Sequence, residues 1–290
     1  MKRPYRSRQI KRRDRRTADE IEQLKHSMIA ILAEDHPMTV RQVFYRMLPL
    51  GLIQKEEAEY KGTVCRLLTR LRREGVVPYG YIADHTRWQR KQATYGSMED
   101  AIGYWTRAYR RELWAEQDAY VEVWCEKDAL AGVLFEVTNE WHVPLMVVRG
   151  FSSLSFLHDA GEALSAINKP AYLYYFGDHD PSGVWISRKI EQELRAFAPD
   201  AEIHFERVAV TPEQIDLLNL PTRPTKKSDS RSRTFKGESV ELDAIPPATL
   251  RALCETYITM HIDKRRLART RRAEAAERES LRAFAERFAG

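Results

Sequence analysis

Four short apolar runs punctuate the chain between Val121 and Val210: VEVWC, PLMVVRG, AYLYYFG and IHFERVAV. Each has the length of a buried strand, and the stretches between them switch to a helical period. After Glu126, Leu130, Val133, Leu134 and Val137 recur at three- and four-residue spacing. A second helical stretch runs from Ser153 to about Ile167, and a third begins after Gly183 with Val184, Ile186 and Ile190. This β-α-β-α-β-α-β alternation predicts an α/β unit with a mostly parallel sheet and helices on both faces.

The first ninety residues read differently, as short helices. Ile21, Leu24, Met28, Ile31 and Leu32 form one apolar stripe. After the His36-Pro37 break, Thr39 is placed to cap a helix whose inward stripe is Val40, Val43, Phe44 and Met47. A third helix is predicted over about Glu57 to Glu74, with Val64, Leu67, Leu68 and Leu71 inward and Gly75 as its stop. Its outer side carries Arg66, Arg70 and Arg73, a basic ridge of the kind that enters a DNA groove. The following VVPYGYIAD reads as a wing, so the N-terminal unit is expected to be a winged helix-turn-helix that binds double-stranded DNA. A helical interaction module is the other reading of the same pattern.

The candidate chemistry sits where the strand runs end. Glu126 follows VEVWC, and Asp178 and Asp180 follow AYLYYFG. Strand C-termini are where open α/β sheets bind ligands, so the three carboxylates are expected to converge on one rim. Magnesium takes an octahedron of oxygens at about 2.1 Å, and two or three carboxylates with a phosphate oxygen would suit it. Gly183 after the Asp-x-Asp permits close backbone approach.

Within the second predicted helix, Tyr45 points about 150° away from the centre of the apolar stripe, at roughly 100° per residue, and is expected to be exposed. Arg41 lies one turn earlier on the same outer face, where it would stabilise charge near a phenolate. A tyrosine hydroxyl is a weak nucleophile unless a metal and an arginine neutralise the developing charge.

Composition narrows the setting. The net charge of +5 is localised, because Lys2 to Arg16 hold nine Lys or Arg against Asp14 and leave −3 for the rest of the chain. Such an arm suits sequence-independent, salt-sensitive phosphate contacts. Cys65, Cys125 and Cys254 are widely spaced and are expected to be reduced core thiols, and neither they nor the eight histidines show zinc spacing. With no run of eighteen apolar residues and no signal-like N-terminus, a soluble cytoplasmic, nucleoid-associated protein without membrane contact is expected.

Two sets of motifs carry a resemblance to known families. The segment with Glu126, Gly150 and Asp178-His179-Asp180 resembles a Toprim domain, a Rossmann-like fold of topoisomerases, primases and certain nucleases. TVRQVFYRM resembles the nucleophile helix in the A subunit of topoisomerase VI and its meiotic double-strand-break relatives, T-x-R-[DE]-[IL]-Y-Y, with Tyr45 at the attacking position. RLLTRLRREGVVPYGYIADHTR, RVAVTPEQIDLLNLP and VELDAIPPATL continue the likeness in order, over about Thr17 to Ile262. Gln42 replaces the family's acidic residue, Phe44 its first tyrosine, and little precedes the winged helix to dock an ATPase subunit.

The resemblance implies a homodimer in which Tyr45 of one chain meets the carboxylate rim of the other. Tyr45, with Arg41, would attack a phosphodiester and leave a 5′-phosphotyrosyl bond. Magnesium (or manganese) on Glu126, Asp178 and Asp180 would stabilise the transition state, and Glu126 would also handle protons. A separate ATPase subunit is a further partner in that family. A metal-dependent hydrolytic nuclease with no covalent intermediate is the alternative enzyme, and a non-catalytic DNA-binding protein the alternative outside enzymology.

The expected organisation is a basic arm (1–16), a winged helix (17–92), a connector helix (93–118) opened by Ser97 and Asp100, the Toprim unit with its extension (119–262) and a charged C-terminal helix (263–290). That last helix is expected to serve dimerisation or backbone contact. The stretch PTRPTKKSDSRSRTFKGES, with Lys226, Lys227, Arg231 and Arg233, is expected to be a loop.

Overall fold

A computed structural model describes residues 16–83, 92–150, 153–225, 235 and 237–289 of the chain. The basic arm before Arg16, the end of the expected wing from Asp84, and Lys226, Lys227, Arg231 and Arg233 lie outside the described residues.

The N-terminal helices form as their apolar stripes require. α1 (Ala18–Glu34) starts at a capping box in which Thr17 accepts from the Glu20 N–H and the Glu20 side chain accepts from the Thr17 N–H. α2 (Val40–Met47) repeats the device with Thr39 and Gln42. The predicted third helix is one helical run of three parts: α3 (Glu57–Glu59), a π-helical stretch Tyr60–Cys65, and α4 (Arg66–Arg73). Gly75 follows in the left-handed region at φ +73°, as a helix stop needs. Val64, Leu67, Leu68 and Leu71 are buried against α1 and α2. Arg66, Arg70 and Arg73 are exposed.

The expected wing takes another form over its described part. Residues Tyr79–Tyr81 make a 3-10 turn, and Ile82 then forms a parallel bridge with Met38, the strand-like residue before α2. Pro78 sets the turn and removes a donor that a hairpin strand would use.

The α/β unit has the predicted order. β1 (Tyr120–Cys125), α6 (Ala131–Glu140), β2 (Leu145–Val147), α7 (Leu154–Ser165), β3 (Ala171–Phe176), α8 (Pro181–Phe197) and β4 (Ile203–Ala209) alternate. All strands run parallel in the order β2-β1-β3-β4. The period of two sends Val121, Val123, Cys125, Tyr174 and Phe176 to one face and Trp124, Leu173 and Tyr175 to the other. α7 and α8 cover the second face. α6 and α10 (Pro247–Thr259) cover the first, and their core continues without a break into α1, α2 and α4. The N-terminal helices and the sheet are therefore joined through one hydrophobic cluster. α9 (Pro212–Leu217) is a short helix between β4 and the segment that leads to α10.

α5 (Met98–Ala108) opens at Ser97, whose hydroxyl accepts from the Asp100 N–H, and ends before Leu113. It packs on α11 (Lys264–Ala289), and the residues after it tie to the same helix through Tyr109 Oη–Glu277 at 2.6 Å and the Arg111–Glu277 ion pair. Within the chain the charged C-terminal helix thus has a partner in the connector. Cys125 and Cys254 are buried free thiols, while Cys65 is only half-buried. No described helix is long and apolar enough to cross a membrane.

Candidate active site

The site begins with the pairing of β1 and β3. Cys125 is in register with Phe176, so the next residues, Glu126 and Gly177, leave the sheet side by side. The Glu126 N–H donates to the Phe176 carbonyl at 2.9 Å. The Glu126 carboxylate then turns across the start of the Asp-x-Asp loop, where its Oε2 accepts from the Asp178 N–H at 3.0 Å and the Tyr175 hydroxyl at 3.3 Å.

Two glycines make that crossing possible. A Cβ at Gly177 would lie 2.4 Å from Glu126 Oε2, and one at Gly183 would lie 2.3 Å from the Asp178 carbonyl oxygen. Side-chain atoms do not approach so closely, so both positions exclude any larger residue while Glu126 stays in place. Burial, then the neighbouring Asp178 charge, pushes the Glu126 carboxyl up to about 7.

Asp178 is held from two sides. Its Oδ1 accepts from the Leu242 N–H at 2.8 Å and pairs with Lys127 Nζ at 3.0 Å. Burial raises its pKa, against the pull of Lys127. Asp180 plays a different part. Its Oδ1 caps α8 by accepting from the Gly183 N–H at 2.8 Å, and its Oδ2 faces Arg223 at 3.7 Å. Arg207, from within β4, donates to the carbonyls of Gly177 and Asp178 and to that of Gly183 at 3.1 Å, which fixes the loop from below.

These carboxylates are the hard oxygen donors that a divalent cation takes, and the crowding of Glu126 and Asp178 is what such an ion relieves. The expected trio is not drawn into one ligand set: Glu126, Asp178 and Asp180 do not bring an oxygen each within 4.8 Å of one another. Lys127 and Leu242 engage Asp178, and the helix cap and Arg223 engage Asp180. Among the described residues the one triad with that spacing is His158, Asp159 and Glu162, all exposed on one turn of α7.

A charged network links the rim to the N-terminal helices. Lys127 Nζ lies 2.7 Å from Asp243 Oδ2 and 3.6 Å from Glu241 Oε2, besides Asp178. Glu241 in turn takes Arg41 Nε and Nη2 at 2.9 and 3.1 Å and Arg223 Nη1 at 2.8 Å. Burial works against its charge, but Arg41, Lys127 and Arg223 bring its pKa down to about 2. Asp243 accepts from the Thr39 hydroxyl at 2.9 Å, at the start of α2. Arg41 also pairs with Glu57 at 2.9 Å and sits 4.4 Å from the centre of the Tyr60 ring.

Tyr45 departs from expectation. It is 5% exposed rather than on an open face. α2 has only eight residues, and its outer side packs against Glu241–Ile245 while Lys55 Nζ lies 5.7 Å from the Tyr45 ring centre. A helical-wheel argument assigns that side to solvent because it knows only the helix's own stripe. Burial, then the nearby Glu241, raises the Tyr45 pKa, and Arg41 and Lys127 oppose the rise. Gln42 is fully buried too, and its amide donates to the Ile245 carbonyl at 3.4 Å. A glutamate, having no N–H, could not make that bond when ionised.

The structure therefore brings Glu126 and Asp178 together, sets Asp180 beside them as a cap, and ties Arg41 to the rim through Glu241. Arg66, Arg70 and Arg73 stay on the outer side of α4, with Arg70 paired to Glu74 at 2.7 Å. Lys127, Arg207, Arg223, Glu241 and Asp243 were not anticipated as site residues. A weak signal existed for Lys127, the immediate neighbour of Glu126, whereas Arg207 follows Glu206 in the same strand and does not stand out there. The distance in sequence between Glu241 and Arg41 leaves no local signal for their pairing. No family model and no curated protein matches this chain.

Proposed function

We propose that this protein cleaves double-stranded DNA in a magnesium-dependent reaction centred on Glu126 and Asp178, with Asp180 beside them able to join the ion only by giving up its helix cap, and with Tyr45 as nucleophile. The observation that carries this reading is the juxtaposition of Glu126 and Asp178 at the rim of a parallel sheet, joined through Lys127 and Glu241 to the helix that bears Arg41 and Tyr45. In a transesterification the Tyr45 oxygen bonds to phosphorus and the phosphorus–3′-oxygen bond breaks. The phenolic proton leaves and the departing 3′-oxygen gains one. Glu126, poised near neutrality, is suited to take the first proton. Arg41 offsets negative charge beside the phenolic oxygen. Magnesium held by the carboxylates would neutralise charge on the phosphoryl oxygens.

The resemblance supports a homodimer in which Tyr45 serves the partner's rim. The exposed ridge Arg66, Arg70 and Arg73 supports duplex DNA as substrate. A second reading, hydrolysis by the same rim with no covalent intermediate, is favoured by the burial of Tyr45.

Supercoiled plasmid incubated with protein and magnesium, stopped with detergent and run with and without protease, separates the two. Protein-linked 5′ ends, lost in both Tyr45→Phe and Asp178→Ala, are the expected result. Free ends that persist in Tyr45→Phe and vanish in Asp178→Ala would establish hydrolysis instead. No metal-dependent cutting in any form would leave a DNA-binding protein.

A further inference from the structure

We propose that Arg41, Lys127 and Arg223 form a seat for a DNA phosphodiester, and that Glu241 occupies it when DNA is absent. The inference rests on the DNA-cleaving reading for its ligand and adds a phosphate position and an internal competitor to it.

Three cations from three separate segments converge on one carboxylate. Arg41 grips both Glu241 oxygens through Nε and Nη2, Arg223 adds a third bond at 2.8 Å, and Lys127 stands 3.6 Å away. One arginine would neutralise a structural glutamate. A guanidinium fork with a second arginine and an ammonium is how proteins hold a phosphate. The three cations keep a quarter to a third of their side-chain surface open, whereas Glu241 itself is 6% exposed. Part of each of these side chains is thus open to solvent, while the carboxylate they grip is enclosed.

The position fits as well. Glu241 and Arg41 are the leading charges acting on the Tyr45 hydroxyl, and Lys127 bonds both to the seat and to Asp178. A phosphate there would share Lys127 with the carboxylate rim of the same chain. The exchange conserves charge, since a phosphodiester and an ionised carboxylate each carry one negative charge. None of the three arginine and lysine groups is left buried without a counter-ion, which is the costly outcome in such networks.

Glu241 is carried on a segment whose flanking residues Val240, Leu242 and Ile245 are buried in the core, so vacating the seat requires that segment to lift from it. Ser239 and Val240 are not part of the sheet; they are held by single antiparallel bridges to Arg223 and His179. Beyond those, Leu242 N–H to Asp178, Thr39 and Lys127 to Asp243, Gln42 to the Ile245 carbonyl and the Thr225 hydroxyl to Gly237 and Ser239 fasten the strap.

The test uses the full chain in EDTA, so that no cleavage is needed. Binding of a fluorescein-labelled duplex is followed by anisotropy for wild type and Glu241→Gln, and hydrogen exchange is measured on wild type with and without duplex. About threefold or more tighter binding by Glu241→Gln is expected, because the competitor has lost its charge. Faster exchange at the Val240 and Leu242 amides on adding DNA is expected with it. Unchanged or weaker binding by a folded Glu241→Gln, no duplex binding by either form, or amides equally or better protected with DNA would overturn the proposal. Should Glu241→Gln fail to fold, wild-type exchange alone decides. A protein that cuts DNA with the strap closed keeps the cleavage reading and loses this seat, and one that opens the strap without ever cutting does the reverse.

Discussion

The Asp178 N–H donates to Glu126 Oε2 at 3.0 Å, so the two ends of β1 and β3 are bonded side chain to backbone at the rim. This bond orients the Glu126 carboxylate before any ion arrives, and it explains why that carboxylate tolerates its buried, crowded position. Glu126 and Asp178 form a single preorganised unit.

Gly183→Ala is expected to destabilise the protein by about 1–3 kcal/mol, the usual cost of forcing an added methyl into a packed site. The new Cβ would meet the Asp178 carbonyl oxygen at 2.3 Å, and backbone cannot step aside as a side-chain tip can. Urea denaturation measures the loss. A variant as stable as wild type would mean that the loop relaxes freely.

The pH dependence of stability should carry the mark of Glu126. Its folded pKa, raised to about 7 by burial and then by Asp178, lies above the ordinary value of 4.5. Its proton therefore favours the folded state below about pH 4.5, and that contribution is lost as pH rises through 7. Glu126→Gln removes the loss, so the variant should exceed wild type by up to about 3 kcal/mol at pH 8 in EDTA. At pH 4, below both values, the two should nearly coincide. Denaturation at both pH values checks this, and an equal gap at both would show that charge is not the cause.

Lys127→Met should be among the most damaging single changes at the rim. It strips the ammonium from Asp178 and Asp243, both buried, and removing one partner of a buried ionic cluster costs about 3–5 kcal/mol. The penalty should shrink at acid pH, where Asp178, whose pKa burial already raises, takes up a proton. Melting temperatures at pH 4.5 and 7.5 give the comparison.

Duplex binding should depend on the ridge of α4 through charge alone. Each of Arg66→Ala, Arg70→Ala and Arg73→Ala is expected to lower affinity, and any one of them to do so equally for unrelated DNA sequences. Each should also reduce the slope of log affinity against log salt by about 1. Arg70→Ala should show the smallest change, because Glu74 already claims part of its charge. Slopes that stay at the wild-type value would remove the ridge from the DNA surface.

The sequence by itself determined the elements and the sheet. Period-two and period-3.6 patterns are local, so the four strands, the helices between them and the stripes of α1, α2 and α4 could be read directly. Strand ends follow from strands, which is why Glu126 and Asp178 were legible as neighbours across one rim. Tertiary structure alone decided the rest. Tyr45 is buried in a core cluster shared with a segment nearly two hundred residues later in the chain, and that segment delivers Glu241 to Arg41 and Asp243 to Lys127. A helix's own pattern states which side faces its core, but not what a distant strap lays over the other side. Charged groups in such a network also satisfy one another only in three dimensions, since each of Lys127, Glu241 and Arg41 looks solvent-bound when read in its own segment.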